Sequence, residues 1–205
     1  MRDATHKPTV LCFSGLDPTG GAGIQADIET LFSIGCHCTP VVTALTVQNT
    51  QNVISVRPTD GALLVQQARA ILEDMPVDAV KLGMLGSVEA VEVVHTLLRD
   101  YNDLPVVLDP IAAAGGGYEL SGREVLEAIA NLLLPLTTVL TPNTDEARQL
   151  APAADSLDAC ANEIIDTGCQ HVLITGTHAQ SDSVINRLYA AHQQVTLYTW
   201  PRLEA

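Results

Sequence analysis

Apolar runs rich in β-branched residues alternate with segments of helical periodicity from one end of the chain almost to the other. The runs predict strands over 9–14, 39–47, 78–84, 105–111, 137–141 and 171–176. Between them, a 3.6-residue pattern predicts helices near 24–34, 60–74, 88–100, 122–133, 144–150 and 156–167. Ile24, Ile28, Leu31 and Phe32 fall on one helical face, as do Leu64, Ala68, Ile71 and Leu72. Ser87 stands where an N-cap is needed, and Ser121 with Glu124 reads as a capping box ahead of Val125. Asn186 to Leu197 reads as a hairpin turning near His192 to Gln194. Such strand–helix alternation implies an α/β fold, a mostly parallel sheet with right-handed crossovers and helices on both faces.

The length of 205 residues suits one domain over 1–205 with a sizeable core. Aromatic residues make up only 3% of the chain, so the core must be built from Ala, Val, Ile and Leu, as in a covered parallel sheet. Base-stacking surfaces are correspondingly disfavoured. A net charge of −14 with two lysines, Lys7 and Lys81, repels a phosphate backbone, which argues against nucleic acid as a partner. The first residues contain no apolar signal region, and no run reaches the roughly 18 apolar residues of a membrane span. The expectation is a cytoplasmic protein with no membrane partner. Its five cysteines, an odd number scattered among strands and helix ends, suit reduced thiols. Cys36-His37-Cys38 has no second ligand pair at metal spacing and reads as a helix-to-strand turn.

The densest chemistry lies in SGLDPTGGAGIQAD, Ser14 to Asp27, between the first strand and the first helix. Gly15, Gly20, Gly21 and Gly23 can take positive φ, and the amides after them open a helix, an arrangement that offers bare backbone to a small polar or anionic ligand. Ile24 and Gln25 follow the last glycine where a P-loop needs Lys and Ser or Thr. Gly21 to Ala26 fits the dinucleotide pattern G-x-G-x-x-A, but the stretch Val41 to Thr50 lacks the acidic residue that pattern needs. Six polar groups fall at the carboxyl ends of predicted strands: Ser14-Gly15, Thr46 to Asn49, Gly83-Met84, Asp109, Thr141 to Asn143, and Thr175 to His178. Singly, Met84 is core filler, Gln48 and Asn49 are turn residues and Asp109 is a loop cap. Together they mark the rim on which open α/β sheets bind ligands.

The glycine loop, TALTVQNT (43–50), KLGML (81–85), VVLDPIAAAGG (106–116) and LTPNTDEA (140–147) follow one another in an order that covers essentially the whole chain. In this the sequence resembles the hydroxymethylpyrimidine/phosphomethylpyrimidine kinases of thiamine biosynthesis, members of the ribokinase-like superfamily. The resemblance implies a three-layer ribokinase-like sandwich. It also implies phosphorylation of 4-amino-5-hydroxymethyl-2-methylpyrimidine and then of its monophosphate, with ATP and Mg²⁺. On the same basis Gly15, Asp27, Thr46, Gln48, Met84 and Ile111 line the pyrimidine pocket. Asp109 and Glu146 hold the metal, and Asn143, Glu146, Thr175, Gly176 and His178 face the nucleotide. Thr175 departs from a commoner Lys-Gly-Gly-His pattern, and Gly115 stands where many relatives carry a lysine in a flap, here 112–117. The family's anion-hole turn, Gly-Thr-Gly-Cys or similar, and the helices after it have no counterpart before Ala205. The resemblance therefore leaves the catalytic turn and the C-terminal helices outside 1–205 and implies slight turnover by this chain. Members often dimerise, so a homodimer is a further expectation. Two other readings stand beside this one: a pyrimidine-binding sensor without turnover, and a pyridoxal-type vitamin kinase of the same fold.

Overall fold

A computed structural model of the protein describes residues 7–113, 120–176 and 182–202. The chain runs β1 (Thr9–Leu16), α1 (Gly23–Ser33), β2 (His37–Gln48), β3 (Val53–Pro58), α2 (Gly61–Asp74), β4 (Ala79–Leu82), α3 (Val88–Asp100) and β5 (Val106–Leu108). It continues through α4 (Arg123–Ala128), β6 (Val139–Leu140), α5 (Thr144–Leu150), α6 (Leu157–Asp166), β7 (His171–Ile174), β8 (Ser183–Ala190) and β9 (Gln193–Pro201). All nine strands form one sheet in the order β3-β2-β1-β4-β5-β6-β7-β8-β9. From β2 to β7 the pairing is parallel, and β3, β8 and β9 join antiparallel at the two edges.

From β1 the chain goes to β2 on one side; it then returns past β1 and proceeds through β4 to β7 on the other. Right-handed crossovers in opposite directions put their helices on opposite faces. Leu64 and Ala68 of α2, Val91 and Val94 of α3, Val125 of α4, Ala147 of α5 and Ile164 of α6 accordingly share one core with Leu82, Leu108 and Leu140. On that side Val80, Leu82, Val106, Leu108, Val172 and Ile174 are buried, whereas the alternating residues Ala79, Lys81, Val107, His171 and Leu173 are only half-buried. Among the described residues, α1 is the helix on this second side.

Local signals explain most element ends. The Ser87 hydroxyl accepts from Ala90 N at 3.1 Å, as expected, and Asp60 and Ser156 cap α2 and α6 in the same way. The box expected at Ser121 is not formed: Gly122 is the N-cap, and the Ser121 hydroxyl donates to the Ile111 carbonyl at 2.7 Å. The helix expected to reach 133 leaves α-geometry after Ala128, passing through a π-type turn (Ile129–Leu133) and a 3₁₀ turn (Leu134–Leu136) that accommodates Pro135. Strand β3 was not anticipated, because an edge strand lacks strict alternation, and here it follows an Asn- and Gln-rich turn. The terminal hairpin is present and longer than predicted, with Ala191 and His192 both at positive φ in its turn. Ile24 is buried, but Ile28 and Phe32 are 40% and 74% exposed, so the predicted apolar face of α1 is largely open. No helix among the described residues is long and apolar enough to cross a membrane.

Candidate functional site

β1 and β4 lie side by side where the strand order changes direction, the switch point at which α/β sheets leave a crevice. A cleft of about 580 Å³ opens there. Gly15, Thr46, Gln48, Met84 and Ile111 line it together with Asp17, Thr19, the glycine loop and the 49–53 turn. Five of the six residues expected at the pyrimidine end are thus brought together.

Asp17 builds the loop. Its carboxylate accepts from Thr19 N at 2.8 Å, from the Thr19 hydroxyl and from Ala22 N at 2.9 Å, while its own amide donates to Gln25 Oε1 at 3.2 Å. Burial alone would raise this carboxyl; the bonds from Thr19, Gln48 and Ala22 outweigh it and hold the group below the usual carboxylate range. Only Gly20 and Gly23 of the four loop glycines take positive φ. At Gly23, φ is +60° and an added Cβ would strike the Gly15 carbonyl, so the helix start tolerates no side chain. An added Cβ at Gly15 would meet Met84 Cε, so glycine here lets the methionine wall approach β1. The Thr43 hydroxyl donates to the Met84 carbonyl and fixes that wall.

Gln48 ends β2 facing the cleft. The Thr46 hydroxyl lies 2.8 Å from the Leu16 carbonyl and 3.0 Å from Gln48 Oε1, and Gln48 is among the groups that lower the Asp17 carboxyl. A carboxamide carries both N–H donors and an accepting oxygen, so this side chain can offer a ligand a donor and an acceptor side by side.

Asp27, the sixth expected residue, does not line the cleft. Its carboxylate is held by Lys81 at 2.8 and 3.0 Å.

A second group lies further along the same edge. Asp109 follows β5, and burial, reinforced by the charge of Glu146, pushes its carboxyl up to about 6; Lys81 and the Thr141 hydroxyl oppose the rise. Asn143 and Glu146 form the capping box that opens α5: Asn143 Oδ1 accepts from Asp145 N and Glu146 N, and Glu146 Oε2 accepts from Asn143 N at 2.9 Å. Glu146 Oε1 accepts from Ala112 N at 3.1 Å, which ties the segment after β5 to α5. Thr175 bridges to Asn143, and Gly176 N donates to Asn186 Oδ1 at 3.0 Å. Among the described residues no group of three or more His, Cys, Asp or Glu is placed to hold a metal. Asp109 and Glu146 remain as a pair of hard oxygen donors. Thr177, His178 and the centre of the loop expected over 112–117 lie outside the described residues.

Two contributors escaped the sequence reading. Asp17 had a legible signal, because Asp-Pro-Thr-Gly is a turn in which the carboxylate bonds amides just ahead of it. Lys81 had a fainter one, a lone cation inside an otherwise apolar short strand. As a whole, the site offers a mainly apolar cleft walled by Met84 and Ile111, with the Gln48 carboxamide and the glycine-loop backbone in its lining.

The sequence profile of the family described as phosphomethylpyrimidine kinase matches residues 17–205. A hydroxymethylpyrimidine/phosphomethylpyrimidine kinase of Aquifex aeolicus is 36% identical over 183 residues, which cover 87% of this chain and 72% of that protein. A thiamine biosynthesis bifunctional protein of Geobacter sulfurreducens is 36% identical over 88% of the chain, which spans only 38% of that longer protein. The crystal structure of a phosphomethylpyrimidine kinase from Clostridium difficile superposes with a TM-score of 0.83 at 32% identity, covering 95% of this chain and 84% of that one. A pyridoxal kinase from Staphylococcus aureus in complex with AMP-PCP and pyridoxal gives 0.81 at 29% identity, covering 95% and 71%. With the profile running from the glycine loop to the last residue, the chain belongs to the phosphomethylpyrimidine kinase family.

Proposed function

We propose that this chain binds 4-amino-5-hydroxymethyl-2-methylpyrimidine in the cleft and catalyses ATP-dependent phosphorylation, first of its hydroxymethyl group and then of the resulting monophosphate. The observation that carries the reading is Gln48. Its carboxamide lines the cleft and carries a donor beside an acceptor, which match a ring nitrogen beside an amino group and so read an aminopyrimidine edge. Met84 supplies a polarizable wall for the ring, and the backbone of Gly21 to Gly23 lines the same cleft.

The rest of the reaction is positioning and electrostatics. Asn143, Glu146, Thr175 and Gly176 mark the nucleotide side, with His178 assigned there by sequence. Asp109 and Glu146 suit Mg²⁺, which takes hard oxygens and is held by one or two carboxylates plus phosphates and water. When bound, that ion neutralises phosphate charge. Asp109 is buried, and the charge of Glu146 adds to the rise that burial causes, an arrangement that a cation would relieve.

A second reading, a pyridoxal-type vitamin kinase, is favoured by the likeness to a kinase that holds pyridoxal. A coupled assay of ADP release with hydroxymethylpyrimidine and with pyridoxal separates the two. The expected result is higher kcat/KM for the pyrimidine, together with a Gln48→Leu variant whose pyrimidine Kd rises about tenfold to a hundredfold as roughly 1–3 kcal/mol of paired hydrogen bonding is lost. Preference for pyridoxal would move the assignment to the second reading, and unchanged pyrimidine affinity in Gln48→Leu would remove the basis of the first.

A further inference from the structure

Helix α1 carries the glycine loop at its head, where Asp17 bonds Ala22 N and Gln25, yet its body buries little. Ile24 is its single buried residue; its N-cap makes no side-chain bond, and its first turn holds no acid. What reaches it from the sheet is Lys81, whose ammonium contacts both Asp27 oxygens, with the two side chains only 23% and 14% exposed. Lys81 lies three residues before Met84, and Asp27 four residues after Gly23. The ion pair therefore ties together the two walls of the cleft, although neither partner lines it. Gly83 makes the route available. A Cβ there would lie 2.7 Å from Lys81 Nζ and 2.6 Å from Ser14 Oγ, a buried hydroxyl without a hydrogen-bond partner among the described residues. Any larger residue at 83 would displace the ammonium or the serine beneath it.

We infer that Lys81, threaded across Gly83 to grip Asp27, is a positioning residue that sets the distance between the glycine loop and the Met84 wall and so fixes ligand affinity without touching the ligand. The inference rests on the pyrimidine reading only in its choice of ligand. Removing the ammonium leaves a half-buried carboxylate uncompensated, so α1 must move outward to solvate it. The head of α1 stays tied to Asp17 through Ala22 N and Gln25 Oε1, so the movement falls on the turns around and after Asp27.

The test combines hydrogen exchange on the ligand-free chain with calorimetry on hydroxymethylpyrimidine. Lys81→Met should speed amide exchange over residues 20–33 while α3 and α6 keep their protection. It should also weaken the pyrimidine roughly tenfold, with that loss largely absent in an Asp27→Asn background, because contacting residues couple. Gly83→Ala should reproduce both effects, and Lys81→Arg should retain most protection and affinity. Unchanged exchange at 20–33, a loss of protection spread evenly over the molecule, or an equal affinity loss in the Asp27→Asn background would each overturn the inference. A chain that fails to bind the pyrimidine would refute the proposed substrate, and the exchange measurement would still decide the role of Lys81.

Discussion

At the scale of single residues, Asp109 carries a carboxyl whose charge burial disfavours. Burial first, then Glu146, raises its carboxyl from 3.8 to about 6 in the folded chain. The folded state therefore keeps this proton longer than the unfolded chain does. Stability from the neutral form is fully present below about 3.8 and is lost as pH rises through about 6. Asp109→Asn is permanently neutral and escapes that loss. In metal-free buffer its melting temperature should match the parent's near pH 4 and exceed it at pH 7.5, and parallel melting curves across that range would refute the assignment. Which residues could be read from sequence follows from how far apart their partners lie. Gln48 and Met84 were legible because a strand end places them, whatever they touch. Asp27 was assigned to the pocket by resemblance, and its partner Lys81 lies 54 positions away, a separation that no local pattern spans.

At the scale of elements, α5 depends on its first turn. It is only seven residues long, too short to persist on intrinsic propensity. Asn143 satisfies two of its amides, and Glu146 returns to the Asn143 amide. Asn143→Ala should cost about 0.5–2 kcal/mol in urea unfolding, the range of a lost N-cap, with an unchanged m-value. A midpoint equal to the parent's would show that the box contributes nothing to stability. The parallel strands and most helices were legible because their periodicity spans whole elements. β3 was not, because its burial alternates only in part, and neither was the break after Ala128, where Pro135 acts from beyond the π turn. The open face of α1 was misread for a related reason: periodicity locates an apolar stripe but does not say what covers it.

At the scale of the molecule, neighbours in the β4-to-β9 half of the sheet are also neighbours in the chain, whereas β1 must find β4 across Thr9 to Asp78, joined by a bond from Thr9 N to the Asp78 carboxylate. Closing long loops is slow, and contacts between chain neighbours form early. The covered side of β4 to β7, with α3 to α6, is thus expected to act as the folding nucleus, and β1 to dock late. Substitutions such as Leu11→Ala, buried in β1 opposite β4, should mainly speed unfolding, while Leu140→Ala inside the β6 core should mainly slow folding. Equal partition of both effects in stopped-flow kinetics would contradict this order. The switch point then has a temporal meaning as well as a spatial one. The cleft lies along the seam that closes last, so it comes into being only on completion of the fold, and a ligand seated there acts as a clasp on the final folding step.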